Sequence, residues 1–289
     1  DQNISNITLS NLIIEILDKH AIRNVCICPG SRNTPLKLAF LNAKSFECTS
    51  HIDERGAGFF SLGISKASLK PAVILTTSGT ATANLLPSII EADLSLTPFI
   101  IITADRPKSL LHTGENQTID QQNIFGDYVR KFQSIDLPNN EINLDQNKIL
   151  SLFQSAIGTS EQPPGPVHIN IPIEEPVIEN LSINNSIIEK IDVDNGANYK
   201  AFVIPNLDDS IIVCGEIQDR KSVDEILKLS EHLKAPILAD PTSNIRYFKK
   251  HENIISNYNL FLDKTDLNPK TIIRFGRKPT SKLLCNLLK

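Results

Sequence analysis

The stretch His51-Ile52-Asp53-Glu54-Arg55-Gly56-Ala57-Gly58-Phe59-Phe60 places an acidic residue where a strand gives way to a helix. Further along, Thr76-Thr77-Ser78-Gly79-Thr80-Ala81-Thr82-Ala83-Asn84 runs from a strand through a small-residue turn into another helix. Strand, turn and helix in that order are the unit from which parallel sheets are built. The same rhythm extends in both directions. Val25-Cys26-Ile27-Cys28 reads as a short buried strand that stops at Pro29-Gly30-Ser31-Arg32, and Thr34-Pro35 starts a helix with a cap and a proline in the first turn. Upstream, Ser10 can cap a helix with the apolar stripe Leu12, Ile13, Ile16 and Leu17. Phe46 to Ile52 is a further strand. Ala72-Val73-Ile74-Leu75 and Pro98-Phe99-Ile100-Ile101-Ile102 are continuous apolar runs, as strands covered on both faces require. Val167-His168-Ile169-Asn170-Ile171-Pro172 closes the set. The fold class is therefore α/β, a parallel sheet with helices on both faces.

This alternation occupies residues 1–172. Residues 173–206, with Glu174-Glu175-Pro176 and a run rich in Asn, Ile and Ser, read as a linker. A second α/β unit follows over 207–289. Its strands are Ile211-Ile212-Val213-Cys214-Gly215, Ala235-Pro236-Ile237-Leu238-Ala239 and Thr271-Ile272-Ile273-Arg274-Phe275-Gly276. Its helices run from Val223 to Leu233 and from near Ser281. The sequence ends in a helix-like segment, Asn286-Leu287-Leu288-Lys289, as a piece of a longer protein would.

Composition narrows the function. A net charge of −4 gives no bulk basic surface for nucleic acid. No apolar run approaches the roughly 20 residues that span a bilayer, and the first residues lack the basic and apolar parts of a signal peptide. Cys26 and Cys28 stand two apart, so on a strand both face one side of the sheet; this is not a CxxC spacing. Reduced thiols in a cytoplasmic protein are the expectation. His51, His112 and His168 have no metal-ligand spacing with Cys, Asp or Glu. There is no Gly-x-Ser-x-Gly elbow, and neither GxGxxG nor GxxxxGK[ST] occurs.

Ligands of parallel α/β sheets collect at the carboxyl ends of the strands. Pro29-Gly30-Ser31-Arg32, Asp53-Glu54-Arg55, Thr77-Ser78-Gly79-Thr80 and Thr103-Ala104-Asp105-Arg106-Pro107 each follow an expected strand. Glu54 is the sharpest single residue. Buried between a strand and Gly56-Ala57-Gly58, its carboxyl group would be raised in pKa and could share a proton with a nitrogen heterocycle; left in solvent, it would only complement a helix dipole. Thr76 to Asn84 either exposes backbone amides at a helix N-terminus, as phosphate sites do, or is a tight turn. Arg32 and Arg106 can each clamp a carboxylate with two parallel hydrogen bonds, or form surface ion pairs.

These segments resemble a known family. Cys28-Pro29-Gly30-Ser31-Arg32-Asn33-Thr34-Pro35-Leu36, His51 to Arg55, Thr77 to Ala81, Thr103 to Pro107 and Gly114-Glu115-Asn116-Gln117 are similar, in order and spacing, to the MenD family of thiamine-diphosphate (ThDP) enzymes. The resemblance is strong over residues 1–172 and weak beyond. It implies a pyrimidine-binding domain over 1–172 and part of a Rossmann-like central domain over 207–289. It further implies ThDP-dependent decarboxylation of 2-oxoglutarate and 1,4-addition of the product carbanion to isochorismate, on the way to menaquinone or phylloquinone. Glu54 would bond the aminopyrimidine ring nitrogen, with Pro29, Ser78 and Gly79 lining the pyrimidine side. Ser31, Arg32, Arg106, Asn116, Gln117 and Lys282 would meet the substrates, while Leu283 stands where some relatives carry a second basic residue. Magnesium ligands in this superfamily follow a Gly-Asp-Gly motif. Gly126-Asp127-Tyr128 is not that motif, so the diphosphate-binding domain is expected outside this chain, which would be inactive alone. A homodimer or pair of dimers is implied. Three other readings stay open: another ThDP synthase such as an acetolactate synthase relative, a non-catalytic half-protein, and a dinucleotide-binding module, the last disfavoured because no Gly-rich fingerprint follows Cys214.

Overall fold

The computed structural model of the chain describes residues 6–135, 142–159, 162–175, 177, 207 and 209–289. It divides into two compact units, residues 1–198 and 199–289. Most of the linker expected over 173–206 lies outside the described residues.

The first unit contains α1 (Asn6–Lys19), β1 (Asn24–Ile27), α2 (Thr34–Asn42), β2 (Glu47–Ser50), α3 (Glu54–Ser68), β3 (Ala72–Thr76), α4 (Thr80–Ala83) and α5 (Leu86–Leu94). It continues with β4 (Phe99–Asp105), β5 (Lys131–Ser134), α6 (Ile142–Ile157) and β6 (Pro166–Pro172). Its strands form one parallel sheet in the order β2-β1-β3-β4-β6-β5. The period-two alternation of side chains sorts the core into two layers. Val73, Leu75, Ile100, Ile102, Val167 and Ile169 pack with residues of α1, α2 and α6. Cys26, Cys28, Ile74, Phe99 and Ile101 pack with residues of α3 and α5 on the opposite face. Because β3 and β4 are buried at every position, their apolar runs cannot alternate with polar residues.

Local chemistry sets the helix ends. Asp53 is extended and its carboxylate accepts from the Arg55 amide at 3.0 Å, which starts α3. Two expected caps are placed differently. Ser10 lies inside α1, where its hydroxyl donates to the Asn6 carbonyl at 2.7 Å. The residue before α2 is Asn33, not Thr34, and its side chain does not cap the helix. It accepts from the Gly30 amide at 3.1 Å and donates to the Cys28 carbonyl at 2.8 Å, closing the turn after β1. Strand β5 escapes the sequence reading because Lys-Phe-Gln-Ser is half-buried throughout, on the edge beyond β6.

The second unit contains β7 (Ser210–Cys214), α7 (Arg220–Leu233), β8 (Ile237–Ala239), α8 (Ile245–Phe248), β9 (Ile254–Ile255), β10 (Thr271–Phe275) and α9 (Lys282–Leu287). Its parallel sheet has the order β10-β7-β8-β9. Ile212, Cys214, Ile237 and Ala239 face α7 and α8. Ile211, Val213 and Leu238 face Tyr258 and Leu284. Asp219 caps α7 through the Ser222 amide at 2.7 Å, and Ser281 caps α9 through the Leu284 amide at 3.4 Å.

Candidate functional site

Every strand of the first sheet runs the same way, so all its carboxyl ends open on one edge. The segments after β1, β2, β3 and β4 therefore converge there. Gly30, after β1, packs directly on Thr77, after β3; a Cβ on Gly30 would lie 2.4 Å from the Thr77 Cβ. Only glycine permits that approach. Pro29 and Ser31 flank it and are exposed. Glu54 stands in the first turn of α3, half-buried, and its carboxylate accepts from the Asn84 side-chain amide at 3.2 Å. The two stretches that open the sequence reading are thus in contact. Burial pushes the Cys28 thiol up to about 12, reinforced by the charges of Cys26, Glu54 and Asp53. It is a neutral wall group, not a nucleophile.

The turn after β3 is held from three sides. Gly79 has φ +83°, and its amide donates to the Gln121 side-chain oxygen at 2.8 Å. The Ser78 carbonyl accepts from the Gln117 amide group at 3.0 Å, and the Ser78 hydroxyl accepts from Arg106 Nη1 at 3.1 Å. Beyond the turn, α4 lasts only four residues before the chain re-forms as α5. Of the two readings of this stretch, amides exposed at a helix N-terminus or a tight turn, the structure shows a tight turn in which the Gly79 amide is committed to Gln121.

Arg32 and Arg106 come to the same edge. Arg32 is 6% exposed, donating to the Ile173 carbonyl at 2.9 Å and to the Glu175 carboxylate at 3.0 Å. Arg106 Nη2 donates to the Asn116 carbonyl at 3.2 Å. Burial, and then the positive charge of Arg32, lower the Arg106 pKa. Arg106 Nε is buried without a hydrogen-bond partner. The two guanidinium groups repel one another, and the carboxylates of Glu115, Glu175 and Asp105 offset part of that charge. Asn116 and Gln117 are exposed on the loop that Arg106 holds, with Gln117 at φ +55°. Lys282 opens α9 of the second unit and is exposed.

Sequence reasoning missed a buried polar group behind this edge. Asp105, Gln121, His168 and Asn170 are at most 2% exposed, as is Thr103. The signal available was Asn170 itself, a polar residue inside an apolar strand run. In the second unit, the fully buried Asp240 carboxylate accepts from the Thr280 amide at 2.8 Å, the Ser281 amide at 3.1 Å and the Thr242 hydroxyl at 2.7 Å. Burial alone would raise its pKa, but these hydrogen bonds outweigh that and lower it. Asp240 thereby fixes the segment leading to Lys282.

The donor set suits the aminopyrimidine part of a thiamine cofactor in one respect: Glu54 is a half-buried carboxylate at the first turn of α3, the kind of group that can meet a ring nitrogen. Metal ligands are another matter. Among the described residues, no group of three or more His, Cys, Asp or Glu is placed to hold a metal ion. Gly126-Asp127-Tyr128 forms a short 3-10 turn. Among the described residues, no helix is long and apolar enough to cross a membrane.

Residues 7–124 match the N-terminal TPP binding domain of the thiamine pyrophosphate enzymes. Over 96% of its length the chain is 38% identical to the 2-succinyl-5-enolpyruvyl-6-hydroxy-3-cyclohexene-1-carboxylate synthase of Chlorobium phaeobacteroides, covering 51% of that protein. The synthase of the same name from Listeria innocua is 35% identical over 96% of the chain and 50% of its own length. That from Bacillus pumilus is 35% identical over 99% of the chain and 53% of its own length. The chain spans about half the length of the curated relatives it matches, and the match falls on their N-terminal halves.

Proposed function

We propose, on the premise that residues 7–124 are an N-terminal TPP binding domain of the thiamine pyrophosphate enzymes in a homologue of the N-terminal half of the 2-succinyl-5-enolpyruvyl-6-hydroxy-3-cyclohexene-1-carboxylate synthases, that this chain supplies the pyrimidine and substrate-carboxylate side of such a synthase. In this reading residues 1–172 are the pyrimidine-binding domain and 207–289 part of the central domain. The protein that contains them decarboxylates 2-oxoglutarate and adds the resulting acyl carbanion equivalent to isochorismate in menaquinone or phylloquinone biosynthesis, in the cytoplasm. When bound, ThDP supplies an acidic ring carbon that adds to 2-oxo acids and accepts the electron pair released with carbon dioxide.

The chain's own residues perform the rest. Glu54 holds a proton against the pyrimidine ring nitrogen, and Asn84 keeps its carboxylate oriented. Pro29, Ser78 and Gly79 line the ring. Arg32 and Arg106 draw in substrate carboxylates with their positive charge. Ser31, Asn116 and Gln117 provide polar contacts, and Lys282 is a further candidate for contact with a substrate carboxylate. Diphosphate and magnesium are held by residues outside this chain, which is inactive alone. The catalytic unit is a homodimer or a pair of dimers.

The observation that carries this reading is the meeting of Glu54 with the 76–84 stretch at the sheet edge that also bears Arg32 and Arg106. The test is Glu54→Gln in the full-length gene product, assayed with 2-oxoglutarate, isochorismate, ThDP and magnesium. Loss of the proton-holding carboxylate should lower kcat by about 10²–10⁴-fold with the fold retained. Unchanged turnover would remove Glu54 from the mechanism, and acetolactate formed from pyruvate would point to a different synthase.

A further inference from the structure

We infer that Gln121 and Asn170 are positioning residues: together they lock the Ser78–Gly79 turn to the Asp105–Arg106 strand end, so that the cofactor side and the carboxylate side of the site move as one piece. This rests on the function proposed above.

The connection can be followed atom by atom. Gln121 is fully buried in the irregular segment between β4 and β5. Its side-chain oxygen accepts from the Gly79 amide at 2.8 Å. Its NH2 group donates to the Ala104 carbonyl at 3.2 Å and to Asn170 Oδ1 at 2.8 Å. Asn170 lies on β6, directly opposite Thr103 of β4. Its Nδ2 donates to Asp105 Oδ2 at 2.7 Å, while Asp105 Oδ1 accepts from the Arg106 amide at 2.7 Å.

The polarity of the chain follows from its ends. The Gly79 N–H can only donate, so Gln121 turns its oxygen toward it and its NH2 toward Asn170 Oδ1, which leaves the Asn170 NH2 facing Asp105. Asn170 Oδ1 also accepts from the Thr103 hydroxyl at 2.7 Å. Having given its proton, Thr103 accepts from His168 Nε2 at 2.7 Å. Burial lowers the His168 pKa to about 3, so the ring is neutral and carries a single N–H. That N–H goes to Thr103, which accounts for the unpartnered Nδ1. Both N–H donors of the Gln121 amide are used, and neither its group nor that of Asn170 can flip without setting donor against donor. A buried network of this kind costs desolvation, and an apolar residue would fill the same space. What an apolar residue could not do is tie two neighbouring loops into one relative position.

The test uses the full-length gene product with magnesium. Gln121→Met keeps side-chain length and removes the bonds to Gly79, Ala104 and Asn170. It should weaken ThDP binding, measured by calorimetry, by about tenfold, the equivalent of one buried hydrogen bond. Asn170→Asp acts at the other end by facing Asp105 with a second carboxylate. The pair then holds one shared proton, with the Arg106 amide and the charges of Asp120 and Arg106 around it. The KM for 2-oxoglutarate should stay near the parent value at acid pH and rise about tenfold toward alkaline pH. Exchanging the pair, Asp105→Asn with Asn170→Asp, restores one donor facing one acceptor and should remove that pH dependence.

A merely structural role would lower the folded fraction, scaling kcat while ThDP affinity, KM and its pH profile stay put. That outcome, or failure of the exchanged pair to rescue, overturns the inference. If Gln121→Met does not fold, the Asn170 variants carry the test. Should the parent protein not use 2-oxoglutarate and isochorismate, the proposed function fails, while the calorimetric comparison of parent with the Gln121 and Asn170 variants still decides the inference.

Discussion

Gly79→Ala is the sharpest probe of the turn on which the site depends. Gly79 has φ +83° and ψ −147°, a region open almost only to glycine. Holding alanine there costs about 1–3 kcal/mol in backbone strain. A Cβ would also lie 2.8 Å from Gln117 Cγ and 2.9 Å from the Gln117 carbonyl oxygen. The second contact is backbone, so the loop must move, at a cost of about 1–3 kcal/mol. The sum, about 2–6 kcal/mol, is a large share of the roughly 5–15 kcal/mol that holds a folded unit together. The exposed loop gives way first, surrendering the Gln117 bond to Ser78 and the Arg106 bond to Asn116, which favours the lower end. At about 2–4 °C per kcal/mol for a unit of this size, the midpoint of thermal unfolding should fall by about 5–15 °C. Circular dichroism melts measure this directly, and hydrogen exchange should quicken over 76–84. Gly63→Ala is the control. It lies inside α3 with nothing within 4 Å of the added Cβ, and should stabilise by about 0.5–1 kcal/mol. Equal melting points for the two variants would refute the reasoning.

Two further outcomes follow from the buried groups. Cys28 and Cys214 are pushed to about 12 by burial and Cys26 is raised; in the native protein at mildly alkaline pH these three should resist iodoacetamide while the half-buried Cys285 reacts and the half-buried Cys48, whose thiol burial also raises, reacts more slowly, a pattern mass spectrometry reads peptide by peptide. Rapid alkylation of Cys28 would contradict the packing of β1 against α3. Asp240 is held below the usual carboxylate range, so its contribution to stability is present above that range and is lost as pH falls through the native value. Asp240→Asn should lower the melting point at neutral pH and flatten its decline in acid; parallel pH profiles for parent and variant would sink the assignment.

The parts of the fold that were legible in the sequence are those where one requirement dominates. Strands covered on both faces are mostly apolar, so β3 and the start of β4 stand out as continuous runs, and β6 stands out despite its buried His168 and Asn170. Strand β5 pairs with one neighbour and is half-buried, so no run marks it. An acidic start to α3 could be read at Asp53-Glu54, because it needs only the switch from strand to helix. Asn33 could not, because its side chain is occupied by Gly30 and Cys28. The site was legible at strand ends, where residue type and position coincide. Its backing was not. Gln121 lies in an irregular segment far in sequence from both Gly79 and Asn170, and only the sheet order brings the three together. Arg32 and Arg106 were recognisable as anion partners, whereas their present engagements with Ile173, Glu175, Ser78 and Asn116 depend on contacts no spacing encodes.

The placement of β6 has a consequence for synthesis on the ribosome. It is inserted between β4 and β5, so the last strand of this sheet to be translated sits inside it. Until residues 166–172 emerge, β4 presents an unpaired edge of Phe99-Ile100-Ile101-Ile102, and β5 has no neighbour to join. Such an edge is a template for pairing with other chains. The nascent chain thus passes through an interval in which an aggregation-prone strand waits for a partner 67 residues further on (Phe99 pairs with Pro166), and any pause in translation before Pro172 prolongs that exposure.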